Sequence, residues 1–239
     1  MNSEIDSVDM NKTDAKQSES STRIVMIGTP SYDGKISAWH ASAIVETCKI
    51  GIVNNINILP IYMSYDALVQ RARNDIVKLA IDNNVDDLVF IDSDIDWSPL
   101  DFFKLLRYDA DIVAAPTIKK NDIEQYGVKL TEQFNVEENG LVSVDGVATG
   151  FMRIRKEALK KIYDISEEYT EVGKREPSRM VFEVKVVAGQ LYSEDILFCQ
   201  KWKDLGGKVY IDPLINCGHV GEKRWIGNFY EWFKLTIRK

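Results

Sequence analysis

Short apolar runs alternate with amphipathic stretches through the first half of the chain, which predicts strands alternating with helices. The predicted strands cover residues 24–27, 56–61, 88–91 and 111–115. The Gly28-Thr29-Pro30 sequence is expected to stop the first of them. Helices are expected over residues 36–53 and 99–108, and after Ser64 with Leu68, Ala72, Ile76 and Leu79 facing inward. This order implies crossover connections and a largely parallel sheet covered on both faces.

The second half has a different pattern. Residues 128–136 and 141–144 alternate about a Glu138-Asn139-Gly140 turn, as the strands of a hairpin do. The remaining predicted elements are a strand over 148–154, a helix over 155–163, an irregular segment over 166–180, a helix over 193–205, a strand over 209–211 and a closing helix after Arg224. The pattern therefore predicts an α/β fold with a smaller β/α half.

Composition is typical of a globular protein, with 45% hydrophobic and 28% charged residues among 239. We expect one domain over residues 23–239. Residues 1–22 are polar and aperiodic, so we expect a disordered tail there. A net charge of -7 argues against a surface that binds duplex nucleic acid over the whole molecule.

No apolar run approaches the roughly 20 residues that span a bilayer, so we expect a cytoplasmic protein without a transmembrane segment. The three cysteines, which are widely spaced, are expected to be reduced. The closing segment, residues 225–233, is dense in aromatic residues. It is expected to pack on the core, with an acceptor platform or a homo-oligomer face as open alternatives.

The acidic loop Asp92-Ser93-Asp94-Ile95-Asp96 carries the strongest chemical signal. A buried strand that ends in two carboxylates places them at the crevice where open α/β sheets bind ligands. Hard divalent cations such as Mg²⁺ and Mn²⁺ prefer oxygen ligands of this kind. Asp94 and Asp96 form a second such pair, and the strand register favours Asp92 and Asp94.

Two further motifs add candidate chemistry. Ser193-Glu194-Asp195 opens a predicted helix, where Ser193 is expected to cap and the helix dipole to keep the carboxylates ionised, as a general base requires. His219 lies in a glycine-flanked loop after a strand, where an imidazole would complete a metal site. Plain capping and an incidental loop histidine are the alternatives.

The order of these motifs resembles GT-A glycosyltransferases, especially the compact single-domain enzymes of viruses and bacteria. The resemblance covers residues 23–224. Its most specific pieces are Val89-Phe90-Ile91-Asp92-Ser93-Asp94, Thr149-Gly150-Phe151-Met152, Ser193-Glu194-Asp195-Ile196 and Gly218-His219. It implies a Rossmann-like sheet that binds a nucleotide-sugar, with a smaller acceptor-side half in the same domain.

The resemblance also implies roles for individual residues. Asp92, Asp94 and His219 would hold Mn²⁺ or Mg²⁺, and Asp195, beside Glu194, would be the base of an inverting reaction. The donor would be a UDP- or GDP-sugar. Its implied contacts are Thr29, Pro30, Tyr32, Arg71, Arg73, Asn74, Asp92, Ser93, Gly150, Lys223 and Arg224. An exposed helix face is the alternative for Arg71 and Arg73.

The acceptor is expected to offer a hydroxyl group, and a glycan, a protein, a lipid and a modified nucleobase all do so. Two other functions stay open. Haloacid-dehalogenase-like phosphotransferases also place Asp-x-Asp after an apolar strand, but near the start of the domain and usually followed by Thr or Val. A nucleotide-sugar-binding module without catalysis is the other. Sugar nucleotidylyltransferases need a glycine-rich basic loop after the first strand, which Gly28-Thr29-Pro30-Ser31 is not.

Overall fold

One large mixed sheet organises the chain in a computed structural model that describes residues 22–132 and 136–236. The helices in these residues are α1 Ala38–Val53, α2 Val69–Asp82, α3 Pro99–Arg107, α4 Lys156–Ile165, α5 Glu194–Asp204 and α6 Phe229–Thr236. The strands up to residue 130 are β1 Arg23–Ser31, β2 Ile56–Ser64, β3 Asp87–Ile91, β4 Ile95–Asp96, β5 Ile112–Ala114 and β6 Val128–Leu130. Those that follow are β7 Val142–Val147, β8 Phe151–Arg155, β9 Glu168–Tyr169, β10 Ser178–Arg179, β11 Lys185–Val187, β12 Gln190–Tyr192, β13 Val209–Ile211, β14 Gly218–Val220 and β15 Arg224–Trp225.

The large sheet has eight strands in the order β2-β1-β3-β8-β5-β13-β7-β6. Strands β2, β1 and β3 are parallel, as the alternating pattern predicts. The expectation of a largely parallel sheet is wrong beyond β3, because β8 lies antiparallel between β3 and β5, and β7 is antiparallel to β13. A buried apolar run fits either strand direction, so the pattern does not encode the direction.

Helices cover both faces of this sheet, as predicted. Helices α1 and α3 pack on one face through a core that includes Ile44 and Phe102. The opposite core contains Ile76 of α2, Phe198 of α5 and Phe229 of α6. The interpretation that the closing aromatic segment packs on the core is thus confirmed for α6, which begins at Phe229 rather than directly after Arg224.

Strand β1 is longer than predicted, because it continues through Gly28-Thr29-Pro30 to Ser31. Its parallel pairing with β2 extends to Ser31 opposite Ser64, which keeps the strand extended past the expected stop. Gly28 permits close packing on α2, since a Cβ at this position would lie 2.4 Å from Cγ2 of Ile76. The extension carries the end of β1 to the level of the acidic loop.

The inward face of α2 also differs from the prediction. Ala72 and Ile76 are buried as expected, but Leu68 precedes the helix as its N-cap and is 46% exposed, and Leu79 lies at the surface. Ser64 ends β2, and α2 begins only at Val69. Contact with β1 decides which side of α2 is buried. Arg73 lies on that buried side.

The second half contains the predicted hairpin as an antiparallel pairing of β6 with β7. The segment predicted as irregular, residues 166–180, contains the paired strands β9 and β10. The predicted tail at residues 1–22 lies outside the described residues except for Thr22, as do residues 133–135 of the predicted hairpin. Within the described ranges, no helix combines the length and apolar character needed to cross a membrane.

Candidate active site

The acidic loop is held by backbone hydrogen bonds at the carboxyl end of β3. The amide of Asp92 donates to the carbonyl of Gly150 at 3.1 Å, and the amide of Ile95 closes a turn on the Asp92 carbonyl at 3.0 Å. The carbonyl of Asp94 accepts from the Val220 amide at 2.7 Å. These hydrogen bonds fix the conformation of the loop. Each carboxylate of the loop therefore faces its own set of partners.

The carboxylate of Asp96 supports the fold of the loop. Its oxygens accept from the Gly218 amide at 3.0 Å and from Nε of Arg224 at 2.7 Å. A Cβ on Gly218 would lie 2.5 Å from Oδ1 of Asp96, so a glycine is needed for this contact. Asp96 thus joins β4 to the β14–β15 hairpin, and Asp94 faces a different set of partners.

The carboxylate of Asp94 lies between a lysine and a histidine. Its Oδ2 is 2.5 Å from Nζ of Lys120 and 3.4 Å from Nε2 of His219. The other ring nitrogen of His219, Nδ1, is 2.6 Å from the carbonyl oxygen of Ile118. A carbonyl oxygen only accepts, so Nδ1 carries a proton, and Nε2 lies on the side of Asp94.

The two partners of the Asp94 carboxylate keep it ionised. Although burial acts in the opposite direction, hydrogen bonds with His219 and Lys120 lower the pKa of Asp94 to about 2, so this carboxylate is ionised at neutral pH. A histidine whose second nitrogen is fixed by a backbone carbonyl is the usual arrangement of a metal ligand. Asp94 and His219 are thus suited to share a divalent cation.

Asp92, the third predicted ligand, has another partner. Its carboxylate accepts from Nη2 of Arg73 at 3.1 Å. Across the residues that the structure describes, no three side chains of the His, Cys, Asp and Glu types form a group that could hold a metal ion. The structure therefore brings together two of the three predicted ligands, Asp94 and His219, and directs Asp92 toward Arg73.

Arg73 is a buried cation shared by three carboxylates. Its Nη1 lies 2.5 Å from Oε1 of Glu194 and 3.0 Å from Oδ1 of Asp195, and its Nη2 contacts Asp92. The guanidinium carbon lies 5.9 Å from the centre of the Phe182 ring. Arg73 thereby connects the acidic loop with the start of α5.

Asp195 faces this cluster from the first turn of α5. Its Oδ1 also accepts a short hydrogen bond from the Thr149 hydroxyl. Burial raises the pKa of the Asp195 carboxyl above its ordinary value, with Arg73 opposing this rise and the Glu194 carboxylate adding to it. Ser193 is at the N-cap but its side chain makes no capping bond, so the predicted capping by Ser193 is wrong. The hydrogen bonds from Arg73 and Thr149, rather than a cap, orient Asp195.

A cavity of about 160 Å³ opens beside the acidic loop at the ends of β1 and β3. Of the predicted donor contacts, it is lined by Pro30, Tyr32, Asp92, Ser93 and Asp94. Tyr32 is 73% exposed at its rim. Thr29 is buried beneath it, and its hydroxyl is a buried polar atom without a partner in the described residues. Gly150 abuts the loop, because a Cβ there would lie 3.5 Å from Oδ2 of Asp92.

The other predicted donor contacts lie among protein partners. Arg71 is paired with Asp66 at 2.8 Å and lines a separate cavity of about 350 Å³. Asn74 binds the backbone of Phe182 through both ends of its amide, and Lys223 is paired with Asp122 at 2.6 Å.

No protein-family model and no curated protein matches the sequence. Solved structures do match. A197 from STIV is 18% identical, with a TM-score of 0.54 over 85% of this chain and 88% of that chain. This likeness shows that the two proteins share a fold.

A second match is a glycosyltransferase involved in the glycosylation of the major capsid of PBCV-1. It is 13% identical, with a TM-score of 0.34 over 58% of this chain and 62% of that chain. A score at this level carries no argument about the present protein.

Sequence reasoning missed Lys120 as a site residue, and it placed Thr149 in a motif without giving it a role. Lys120 follows β5, and Thr149 precedes β8. Both lie at the edge of the sheet that carries the acidic loop, because Ala115 and Phe151 are joined by a backbone hydrogen bond at that edge. The lysine pair Lys119-Lys120, a few residues after the strand predicted over 111–115, was the available signal for Lys120.

Proposed function

We propose that this chain is a divalent-metal-dependent glycosyltransferase on a GT-A scaffold, which transfers a sugar from a nucleoside diphosphate sugar to an acceptor hydroxyl. The observation that carries the proposal is that two carboxylates of the acidic loop have different partners. Asp94 faces His219 on one side, and Asp92 is joined through Arg73 to Asp195 on the other. A cation site and a candidate base thus lie on either side of one loop.

The donor set fits a hard divalent cation that keeps most of its positions for other ligands. Mg²⁺ is usually held by one or two carboxylates together with substrate phosphates and water. Asp94 and His219 would be the protein ligands of Mn²⁺ or Mg²⁺ in this proposal. When bound, the cation would neutralise charge that develops on the departing diphosphate.

The cavity beside the loop supports the position of the donor. Tyr32 and Pro30 provide flat surfaces for a nucleobase, and the cavity extends to Asp92, Ser93 and Asp94. A UDP- or GDP-sugar placed here would have its diphosphate near Asp94 and its base near Tyr32. This arrangement agrees with the rule that open α/β sheets bind ligands beyond the carboxyl ends of their strands.

Asp195 would remove the proton from the acceptor hydroxyl. The hydroxyl oxygen attacks the anomeric carbon, the bond from that carbon to the diphosphate oxygen breaks, and the proton passes to the Asp195 carboxylate. Thr149 and Arg73 both bind Oδ1, so Oδ2 would take the proton. A raised pKa improves a carboxylate as a proton acceptor near neutral pH. Attack from the face opposite the leaving group gives inversion at the anomeric carbon.

The first prediction concerns donor binding. A nucleoside diphosphate is expected to bind at least about 10-fold more tightly with Mn²⁺ than with a chelator, because a cation held by Asp94 and His219 would offset the negative charge of the diphosphate. Isothermal titration calorimetry with UDP and with GDP measures the difference. Asp94→Asn should remove most of this gain. Asp109→Asn, at an exposed carboxylate paired with Arg155, is the matched control and should preserve it.

Equal affinity with Mn²⁺ and with chelator would contradict the metal assignment. Incubation with a panel of nucleotide-sugars then tests the enzyme directly, since slow hydrolysis of one donor separates a transferase from a binding module. Release of phosphate from phosphate monoesters, without donor hydrolysis, would instead favour a phosphotransferase.

A further inference from the structure

Lys120 places a cation on the carboxylate oxygen that faces His219. Its Nζ is 2.5 Å from Oδ2 of Asp94, the same atom that lies 3.4 Å from Nε2 of His219. The ammonium group therefore occupies an oxygen with which Asp94 would bind a metal ion. In this state of the protein, Lys120 supplies a positive charge to the Asp94 carboxylate.

One loop provides both Lys120 and the group that orients His219. The carbonyl of Ile118 accepts from Nδ1 of His219 at 2.6 Å, two residues before Lys120. A bridge between Ile118 and Tyr126, and a 2.7 Å bond from the Lys119 amide to the Gln125 carbonyl, hold the loop. The backbone thus fixes where the Lys120 side chain starts.

The stem of Lys120 lies on a glycine. A Cβ on Gly221 would be 3.4 Å and 3.5 Å from Cδ and Cε of Lys120, and 2.9 Å from the Trp225 ring. Because Gly221 has no side chain, the stem of Lys120 has space to lie across the β14–β15 hairpin. The stem has a defined place, and the ammonium at its end can still turn.

The bond between Lys120 and Asp94 can be exchanged for bonds to other charged groups. Both side chains are about one-third exposed, at 33% and 37%, so solutes reach the pair. A divalent cation bound to the same oxygen would repel the ammonium, because like charges a few ångströms apart interact strongly at a partly buried site. The donor diphosphate would at the same time bring negative charge beside it.

We infer that Lys120 is a catalytic residue with two positions, bound to Asp94 before the cation arrives and to the donor diphosphate afterwards. The inference rests on the proposed function. In the second position the ammonium donates to a phosphate oxygen and stabilises the leaving diphosphate, with no proton transferred. Before the exchange Lys120 balances the charge of Asp94, and after it the bound cation does so.

Lys120→Met tests the exchange, because methionine keeps an unbranched apolar stem over Gly221 and removes the charge. Mn²⁺ binding to the full chain is measured by electron paramagnetic resonance of free Mn²⁺, without nucleotide. The variant is expected to bind Mn²⁺ about 10-fold more tightly than the wild type, since its competitor is gone. With Mn²⁺ present, its affinity for UDP or GDP should fall by about 10-fold. Lys119→Met, at the neighbouring exposed lysine, should change neither.

The outcomes separate this inference from the proposed function. If the wild type binds Mn²⁺ with nucleotide and Lys120→Met matches it in both measurements, the exchange is wrong and the proposed function stands. Weaker Mn²⁺ binding by Lys120→Met would also overturn the exchange, because it would make Lys120 a support of the Asp94 geometry. A wild type that binds no Mn²⁺ even with nucleotide would overturn both. Opposite shifts, tighter for Mn²⁺ and weaker for nucleotide, support it.

Discussion

Asp195→Asn is expected to lower the rate of sugar transfer by about 10²-fold or more and to leave donor affinity nearly unchanged. Asparagine keeps an oxygen that accepts from Thr149 and Arg73, so the start of α5 should retain its geometry. It removes the atom that takes the proton in the proposed reaction. Single-turnover rates with donor and a transferable acceptor, together with calorimetric donor affinity, measure the two effects.

Two further variants sharpen this test. Asp204→Asn changes an exposed carboxylate at the other end of the same helix and should leave the rate at the wild-type level. Glu194→Gln examines the neighbouring carboxylate on Arg73. Near wild-type transfer by Asp195→Asn, or a product with retained anomeric configuration, would remove Asp195 from the role of an inverting base. A larger loss in Glu194→Gln would move that role to Glu194.

Arg73→Met is expected to destabilise the fold by about 3–5 kcal/mol, because loss of one partner leaves buried carboxylates without a counter-charge. The Arg73 side chain is 4% exposed and contacts Asp92, Glu194 and Asp195. At about 2–4 °C per kcal/mol for a chain of this size, the melting temperature should fall by on the order of 10 °C. Thermal unfolding followed by circular dichroism measures it.

The pH dependence of this loss has a defined sign. Burial already raises the pKa of Asp195, and Arg73 opposes the rise, so removal of Arg73 raises this pKa further. A carboxyl with a raised pKa binds its proton more readily in the folded state than in the unfolded state. The destabilisation is therefore full at pH values above the folded-state pKa and is relieved as pH falls through it. The stability gap between Arg73→Met and the wild type should narrow from pH 7.5 to pH 5.5.

Arg71→Met is the matched control on the same helix. Arg71 is 37% exposed and paired with Asp66, so its loss should lower the melting temperature far less than the loss of Arg73. Equal losses in the two variants would show that Arg73 contributes no more than a surface ion pair. A stability gap that widens at low pH would contradict the charge argument.

Local patterns in the sequence correctly predicted those features of the site that depend on a single helix, strand or loop. The apolar run before Asp92 forms β3 whichever strand pairs with it, and α3 begins at Pro99, the first residue of the helix predicted over 99–108. Periodicity is a local property, so the sequence determined the elements, the coverage of both faces and the acidic loop at a strand end. The same reasoning predicted one direction for the sheet, which β7 and β8 do not follow.

The partners of the charged side chains were decided only by the tertiary structure. Arg73 meets Glu194 across 121 residues of chain, and His219 meets Ile118 across 101 residues. No repeat or spacing in the sequence relates such distant positions, because their contact depends on how the strands are ordered in the sheet. The sequence alone determined that acidic, basic and imidazole groups exist at the ends of strands and helices. The packing of those elements decided that Asp94 faces Lys120 and His219 while Asp92 faces Arg73, since burial requires each charge to find a partner.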